Sequence, residues 1–194
     1  NIYGTEYIHR LQKIAVEESR LGIPLLIGAD VIHGLKTIFP IPLAESASWN
    51  LALIEQTARA AAEESTAVGI NFNFAPMCDI GLDARWGRVA EGAGEDPYLV
   101  GLISAARVRG FQGKDLTDEN TLAACVKHMA AYGAAEAGRD YNTVDMSEYR
   151  LRQTYLPAYK KALEAGAVTV MSSFNDLNGV PCTANEYLLK QILR

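Results

Sequence analysis

The sequence is short of positive charge and of long apolar runs, and each shortage argues against a class of partner. Lys and Arg number 18 against 23 Asp and Glu, which gives a net charge of -5 with no basic cluster. Binding to nucleic acid or to an anionic membrane is therefore not expected. No apolar run approaches the roughly 18 residues that a membrane-spanning helix needs. We expect a globular protein, because hydrophobic residues make up 49% and charged residues 21% of the chain.

Cysteine is also scarce, and the cofactor-binding motifs are missing. Cys78, Cys125 and Cys182 are odd in number and widely spaced, so we expect reduced, buried thiols rather than a disulfide framework. His9, His33 and His128 fall at no spacing that suits zinc. No Gly-rich nucleotide loop and no Walker motif follows a predicted strand. We expect neither a cofactor nor a metal.

Helical and short apolar segments alternate along the chain, which is typical of a parallel α/β sheet. The predicted strands are residues 24–29, 70–75, 121–126 and 167–171. The predicted helices are residues 5–21, 52–68, 96–110, 148–165 and 184–194. The continuously apolar strand 24–29 is of the kind buried on both faces. Pro157 should kink the fourth helix.

The loops that follow the strands are long and polar, whereas most loops that return from helix to strand are short. The long loops lie near residues 30–42, 77–96, 128–146 and 172–183. A (β/α)8 TIM-type barrel needs such loops, because its active site lies at the carboxyl ends of the strands. A doubly wound sheet, with its ligand loops at one switch point, remains the alternative.

Polar residues lie at or just beyond the predicted strand ends. A charge there costs much free energy if it is buried and little if it faces the open mouth of a barrel. They are Asp30, Asp79, Lys127, His128, Ser172 and Ser173. Each alone fits an ordinary strand-to-loop transition equally well. Lys127 and His128 are harder to explain in that way. Adjacent strand residues point to opposite faces, so one should line a pocket while the other turns toward a neighbouring strand.

The loop from Asp83 to Asp96 places two arginines around Trp86, with three carboxylates downstream. One interpretation is a salt-bridge network that orders the loop. The other is a sugar pocket, which uses guanidinium donors and an aromatic face. We expect both to hold, with Arg88 in the pocket and the carboxylates mainly structural. Those carboxylates are Glu91, Glu95 and Asp96.

Four ordered blocks carry a family resemblance. They contain GIPLLIGADVIHG (22–34); NFAPMCD (73–79) with RWGR (85–88) and GEDP (94–97); KHMAAYG (127–133) with GRDYNT (138–143); and VMSSFN (170–175) with LNGVP (177–181). In this order they resemble the signatures of glycoside hydrolase family 3. The family consists of retaining β-glycosidases whose first domain is similar to a (β/α)8 barrel.

The resemblance implies a binding site for the sugar at the non-reducing end. Asp30 would accept hydrogen bonds from sugar hydroxyls. The expected hydroxyl donors and lining residues are Arg88, Lys127, His128 and Arg139. Lys36 stands where some relatives carry a sugar-contacting Arg, and Met171 matches a pocket-wall position. Phe174 replaces a Tyr that many relatives have, so a contact through that hydroxyl is not expected.

The resemblance also implies that neither catalytic carboxylate lies in this chain. The nucleophile Asp and the acid/base Glu are expected beyond Arg194. Residues 1–194 would then be an incomplete N-terminal barrel, since a (β/α)8 barrel needs about 250 residues. The remaining strands and a second α/β domain would lie elsewhere in the polypeptide. The missing initiator Met leads us to expect upstream residues as well.

The expected function is retaining hydrolysis of terminal β-D-glucosyl residues, with this chain supplying the sugar subsite. The expected partners are a β-glucoside or short β-linked oligosaccharide and the rest of the same polypeptide. A β-xylosidase of the same family and a non-catalytic sugar-binding fragment are the alternatives. The loop Ala130–Gly133 lacks the His of the N-acetylglucosaminidase subgroup, which disfavours that activity.

Overall fold

Four short strands form a parallel sheet whose spatial order follows the chain. The computed structural model describes residues 4–194. The strands are β1 (Gly28–Ala29), β2 (Phe72–Asn73), β3 (Ala123–Met129) and β4 (Thr169–Ser172). Their order in the sheet is β1-β2-β3-β4, and every pair is parallel. An order without reversal suits a (β/α)8 barrel, because a doubly wound sheet reverses at its switch point.

Helices connect the strands, with irregular helical turns between them. The α-helices are α1 (Thr5–Lys13), α2 (Pro42–Ser46), α3 (Leu51–Thr66), α4 (Pro97–Gln112), α5 (Glu148–Arg150) and α6 (Pro157–Glu164). The π-helical turns are Ile14–Glu18, Leu151–Tyr155 and Tyr187–Ile192. The 3₁₀ turns are Val89–Glu91, Tyr132–Ala134, Glu136–Gly138 and Cys182–Ala184. A separate antiparallel pair consists of β5 (Asp176–Leu177) and β6 (Val180–Pro181).

Local side chains explain where the main helices begin and end. Asp96 Oδ1 accepts a hydrogen bond from Leu99 N (2.7 Å), so α4 starts at the predicted place. Ser147 Oγ likewise accepts from Arg150 N at 3.2 Å. Gly69 has a φ of 91°, which lets the chain turn away after α3. The predicted helix 148–165 is interrupted, and Pro157 opens α6 after the π-helical turn.

The first predicted strand is wrong in its extent and its burial. Only Gly28 and Ala29 join the ladder, and the side chains of Leu25 and Leu26 are exposed. Among residues 4–194, β1 pairs with β2 alone. Within residues 4–194, no other part of the chain covers the side chains of Leu25 and Leu26, so the burial that the apolar run suggested is not found there.

The core lies between the sheet and an outer layer formed by α3, α4 and α6. Ile54, Ile103, Leu122 and Val126 are almost fully buried there. The three cysteines are free and buried, as predicted. Burial raises the pKa of Cys78 to about 12. Within the described residues, the helices are all too short or too polar to cross a membrane.

Candidate sugar-binding site

The polar residues predicted at strand ends gather on one side of the sheet. Asp30 follows β1, Asp79 lies beyond β2, and Met171 lies near the end of β4. Lys127 and His128 do not follow β3, as expected, but form part of it. The carboxyl ends of parallel strands all lie at the same end of the sheet, and a (β/α)8 barrel has its active site at that end.

A bulge in β3 explains how Lys127 and His128 serve the same site. Val126 pairs with Val170 and Met129 pairs with Ser172, so Lys127 and His128 together stand opposite Met171. Two residues facing one form a β-bulge, which redirects side chains and is frequent beside active sites. Both side chains are buried, with Lys127 directed to Asp30 and His128 to Asp79. The bulge therefore brings two side chains of adjacent residues into one polar network.

The ion pair between Asp30 and Lys127 is half open to solvent. Lys127 Nζ lies 2.7 Å from Asp30 Oδ1. The Lys127 side chain is 3% exposed, whereas that of Asp30 is 64% exposed. The buried ammonium thus holds an accessible carboxylate, which can accept hydrogen bonds from a ligand.

Three parts of His128 are held by hydrogen bonds: its ring, its backbone N–H and its carbonyl oxygen. Its Nδ1 lies 2.8 Å from Asp79 Oδ2, and its backbone N–H donates to the same oxygen at 3.1 Å. The Tyr159 hydroxyl on α6 lies 3.0 Å from Asp79 Oδ1 and 2.5 Å from the His128 carbonyl oxygen. Burial, together with the neighbouring Asp79, raises the pKa of Tyr159 well above its ordinary value. Asp79 therefore orients His128 from inside the core.

Arg88 joins the network from the loop after β2. Its Nε and Nη2 donate to the two carboxylate oxygens of Glu91, at 2.7 and 2.8 Å. Its Nη1 lies 3.5 Å from His128 Nε2, and its Cζ lies 5.5 Å from the centre of the Tyr132 ring. The Arg88 guanidinium, assisted by the Lys127 ammonium, holds the pKa of Glu91 below its ordinary value. Glu91 thus orients Arg88.

An aromatic wall stands beside His128, although its members differ from the expectation. Trp86 is buried and donates from Nε1 to Asp140 Oδ1 at 3.0 Å, so its ring offers no open face. The ring of Phe174 lies 5.4 Å from those of His128 and Tyr132, and 5.2 Å from that of Tyr141. Phe174 and Tyr141 are the exposed members of this wall.

Comparison with known proteins identifies the family. The model of the glycosyl hydrolase family 3 N terminal domain matches residues 2–194. The chain belongs to glycosyl hydrolase family 3. The family has a TIM-barrel type α/β fold in this domain, so the expected fold class is confirmed.

Relatives of known name support this membership. A periplasmic beta-glucosidase of Salmonella typhimurium is 46% identical over 100% of this chain and 25% of its own length. A beta-xylosidase of Formosa agariphila is 39% identical over 97% of this chain and 28% of its own length. The chain therefore spans about a quarter of the length of these curated relatives.

Solved structures of the family superimpose closely. A beta-glucosidase from Listeria innocua in complex with glucose has a TM-score of 0.95 and 47% identity, covering 99% of this chain and 27% of that chain. The same enzyme in complex with isofagomine has a TM-score of 0.96 and 46% identity, covering 100% of this chain and 28% of that chain.

Two of the expected family 3 site residues do not join the network. Arg139 and Lys36 are exposed, and neither side chain makes a hydrogen bond or ion pair within residues 4–194. The backbone N–H of Lys36 donates to Glu64 Oε2 at 3.0 Å. Met171 is half-buried, opposite the bulge. The structure thus brings together Asp30, Arg88, Lys127 and His128, and roles for Arg139 and Lys36 stay predictions.

Asn73 and Arg107 hold the backbone after Asp30, which the sequence analysis missed. Asn73 Oδ1 accepts from Val31 N at 2.9 Å, and its Nδ2 donates to Val31 O at 3.1 Å. Arg107 on α4 donates to Ile32 O at 2.5 Å and forms a buried ion pair with Glu45. The available signal was Arg107 itself, a single charge on a helix face that is otherwise apolar or small.

The described part of the chain shows no metal centre. Among residues 4–194, no group of three or more His, Cys, Asp or Glu side chains comes together as metal ligands would. The network instead consists of charged hydrogen-bonding groups, which suits an uncharged, hydroxyl-rich ligand.

Proposed function

We propose that this chain forms the sugar-binding part of a retaining β-glucosidase that hydrolyses terminal, non-reducing β-D-glucosyl residues. The observation that carries the proposal is the exposed Asp30 carboxylate held on buried Lys127. Arg88 and His128 belong to the same strand-end site. Charged donors and acceptors form stronger hydrogen bonds to hydroxyls than neutral groups do. A β-glucoside or a short β-linked oligosaccharide is the proposed ligand.

Each group has a proposed role in this site. Asp30 accepts from one or two sugar hydroxyls, while Lys127 and Arg88 donate. Met171 forms part of the pocket wall opposite the bulge. Arg139 and Lys36, both exposed, are proposed as further donors to the sugar hydroxyls.

The chemistry requires two further carboxylates. A retaining glycosidase uses a nucleophile and an acid/base about 5 Å apart. The site carboxylates seen here are already engaged: Asp30 with Lys127, Asp79 with His128, and Glu91 with Arg88. We assign the nucleophile Asp and the acid/base Glu to parts of the enzyme beyond residue 194. This assignment fits a chain that spans 25% of the Salmonella relative.

Replacing Asp30 tests the proposal in the full-length enzyme. Asp30→Ala should lower kcat/KM for an aryl β-glucoside at least a hundredfold, because about 3 kcal/mol of charged hydrogen bonding is lost. Asp115→Ala is the matched control, since Asp115 is exposed on the loop that precedes β3, at the other end of the sheet. An Asp30→Ala enzyme with an unchanged kcat/KM contradicts the proposed site.

A β-xylosidase is the second candidate, supported by the 39% identical Formosa relative. Glucose differs from xylose by a hydroxymethyl group, so the ratio of kcat/KM for the aryl glucoside and the aryl xyloside decides between them. The 194-residue chain alone should bind glucose in calorimetry without turning over either substrate. Saturable turnover by the pure chain contradicts the assignment of both catalytic carboxylates to other segments.

A further inference from the structure

The His128 ring lies between a carboxylate and a guanidinium, and this arrangement fixes which of its nitrogens carries the proton. We infer that Asp79 and Tyr159 are positioning residues that hold His128 neutral with its proton on Nδ1, so that Nε2 accepts a hydrogen bond from a sugar hydroxyl. The sugar part of this inference rests on the proposed function. It reverses the donor role that the family resemblance implied for His128.

The first step concerns Nδ1. Asp79 Oδ2 lies 2.8 Å from Nδ1 and also accepts the His128 backbone N–H at 3.1 Å. An oxygen that accepts from two N–H groups requires the proton to be on Nδ1. The Asp79 side chain is fully buried, so no water competes for this oxygen.

The second step concerns Nε2. Arg88 Nη1 is 3.5 Å away, and a guanidinium nitrogen can only donate. A proton on Nε2 would therefore face a positive charge. Glu91 offers no acceptor to a proton on Nε2, because both of its oxygens accept from Arg88. In the free protein Nε2 therefore accepts from Arg88 over a long contact of 3.5 Å, which a sugar hydroxyl would replace.

The third step concerns Tyr159, which no motif pointed to. Its hydroxyl lies within hydrogen-bonding distance of both Asp79 Oδ1 and the His128 carbonyl oxygen. Its single proton is shared between these two acceptors, so the hydroxyl links the carboxylate to the backbone of the residue that the carboxylate orients. Since Tyr159 is buried on α6, the helix layer behind the sheet sets the orientation of the His128 ring.

Neutron diffraction on the full-length protein in D₂O tests the protonation state without any sugar. The expected result is a deuteron on His128 Nδ1 and none on Nε2. A deuteron on Nε2 overturns the inference. This outcome is independent of the proposed function, because it concerns the free protein.

Deoxy and deoxyfluoro glucose test the acceptor role. A comparison of two proteins identifies the sugar hydroxyl that contacts His128. Removing this hydroxyl from glucose weakens binding to the wild-type protein but does not weaken binding to His128→Ala any further. At that position both analogues should bind wild-type protein roughly tenfold more weakly than glucose, because fluorine cannot donate. A fluoro analogue that binds as well as glucose there overturns the acceptor role. If glucose itself does not bind, the proposed function fails while the neutron result still stands.

Tyr159→Phe tests the positioning role. The variant should bind glucose several-fold more weakly, measured well below its unfolding temperature, because the Asp79 carboxylate loses one of its restraints. Tyr155→Phe is the matched control, since Tyr155 is buried one turn earlier and its hydroxyl makes no hydrogen bond to Asp79. A Tyr159→Phe protein that is less stable but binds glucose with wild-type affinity overturns the positioning role.

Discussion

At the scale of single residues, the pair of Asp30 and Lys127 is strongly asymmetric. The cation is buried and the anion is mostly exposed. Removing one partner therefore has a different consequence from removing the other. A buried charge left alone is costly, whereas an exposed charge left alone is hydrated by water.

Urea unfolding of single and double variants measures this asymmetry. Asp30→Ala should lower the free energy of unfolding by about 2 kcal/mol, because it leaves the Lys127 ammonium buried and unpaired. Lys127→Met should lower it by less than about 1 kcal/mol. The double variant should resemble Lys127→Met. Equal losses in the two single variants contradict this account.

Glu91 makes the stability of the protein depend on pH in the acid range. Arg88 holds its pKa below the ordinary value of 4.5. Above pH 4.5 the carboxylate is charged in both the folded and unfolded states, so its stabilisation is fully present. This stabilisation is lost as the pH falls through the lower pKa of the folded state.

Glu91→Gln should therefore flatten the loss of stability below about pH 4.5. The difference should not exceed about 1 kcal/mol, because the ion pair is partly exposed and screened. Chemical unfolding at a series of pH values measures it. Glu95→Gln is the control, since Glu95 is exposed and forms no ion pair within the described residues. If the free energy of unfolding falls with acid pH as steeply in Glu91→Gln as in the wild type, the prediction is wrong.

At the scale of elements, α3 and α4 lie very close together at Gly110. A Cβ there would lie 2.4 Å from Glu55 O and 2.6 Å from Ala58 Cβ. Gly101, on the same helix, faces Lys161, where a Cβ would lie 3.0 Å from the flexible Cγ. The two glycines thus differ in what surrounds them and not in their secondary structure.

Gly110→Ala should destabilise the protein by about 2 kcal/mol or more, because two backbones must separate. Gly101→Ala should change stability by less than about 1 kcal/mol, because the gain in helix propensity offsets a small shift of Lys161. Thermal and urea unfolding compare the pair. Equal effects would show that close helix packing at Gly110 is not what excludes the methyl group.

Most elements could be predicted from local sequence, and one strand could not. The caps Asp96 and Ser147 and the break at Pro157 act over a few residues, so sequence alone identifies them. Residues 24–27 have an apolar strand composition, yet of their backbone groups only the Ile27 carbonyl oxygen bonds to the backbone of the next strand segment, at 3.1 Å from Phe72 N. Strand pairing depends on neighbours that are distant in sequence, and composition does not reveal which side of a strand is covered.

At the scale of the whole chain, both edges of the sheet and the segment leading into β1 have no covering element within residues 4–194. Among residues 4–194, β1 and β4 stand at the two ends of the strand order. Leu26 and Ile23, which precede β1, are 68% and 62% exposed. An open edge beside exposed apolar side chains favours association between copies.

We expect the 194-residue chain to self-associate as its concentration rises, in light scattering. Leu26→Lys should reduce this association, because a charge beside the edge opposes pairing. Leu116→Lys is the control, since Leu116 is an exposed leucine on the loop between α4 and β3. A chain that stays monomeric at every concentration contradicts the prediction.

The sequence by itself determined the alternation of elements, the family and the residue types of the site, because periodicity, caps and ordered motifs are local properties of the chain. Only the tertiary structure decided which polar groups meet. Lys127 reaches Asp30 across 97 positions of sequence, and the bulge admits His128 to the same network. Tyr159 reaches Asp79 from a helix 80 positions away. Such contacts depend on strand register and helix packing, which are set by the whole fold rather than by any one segment.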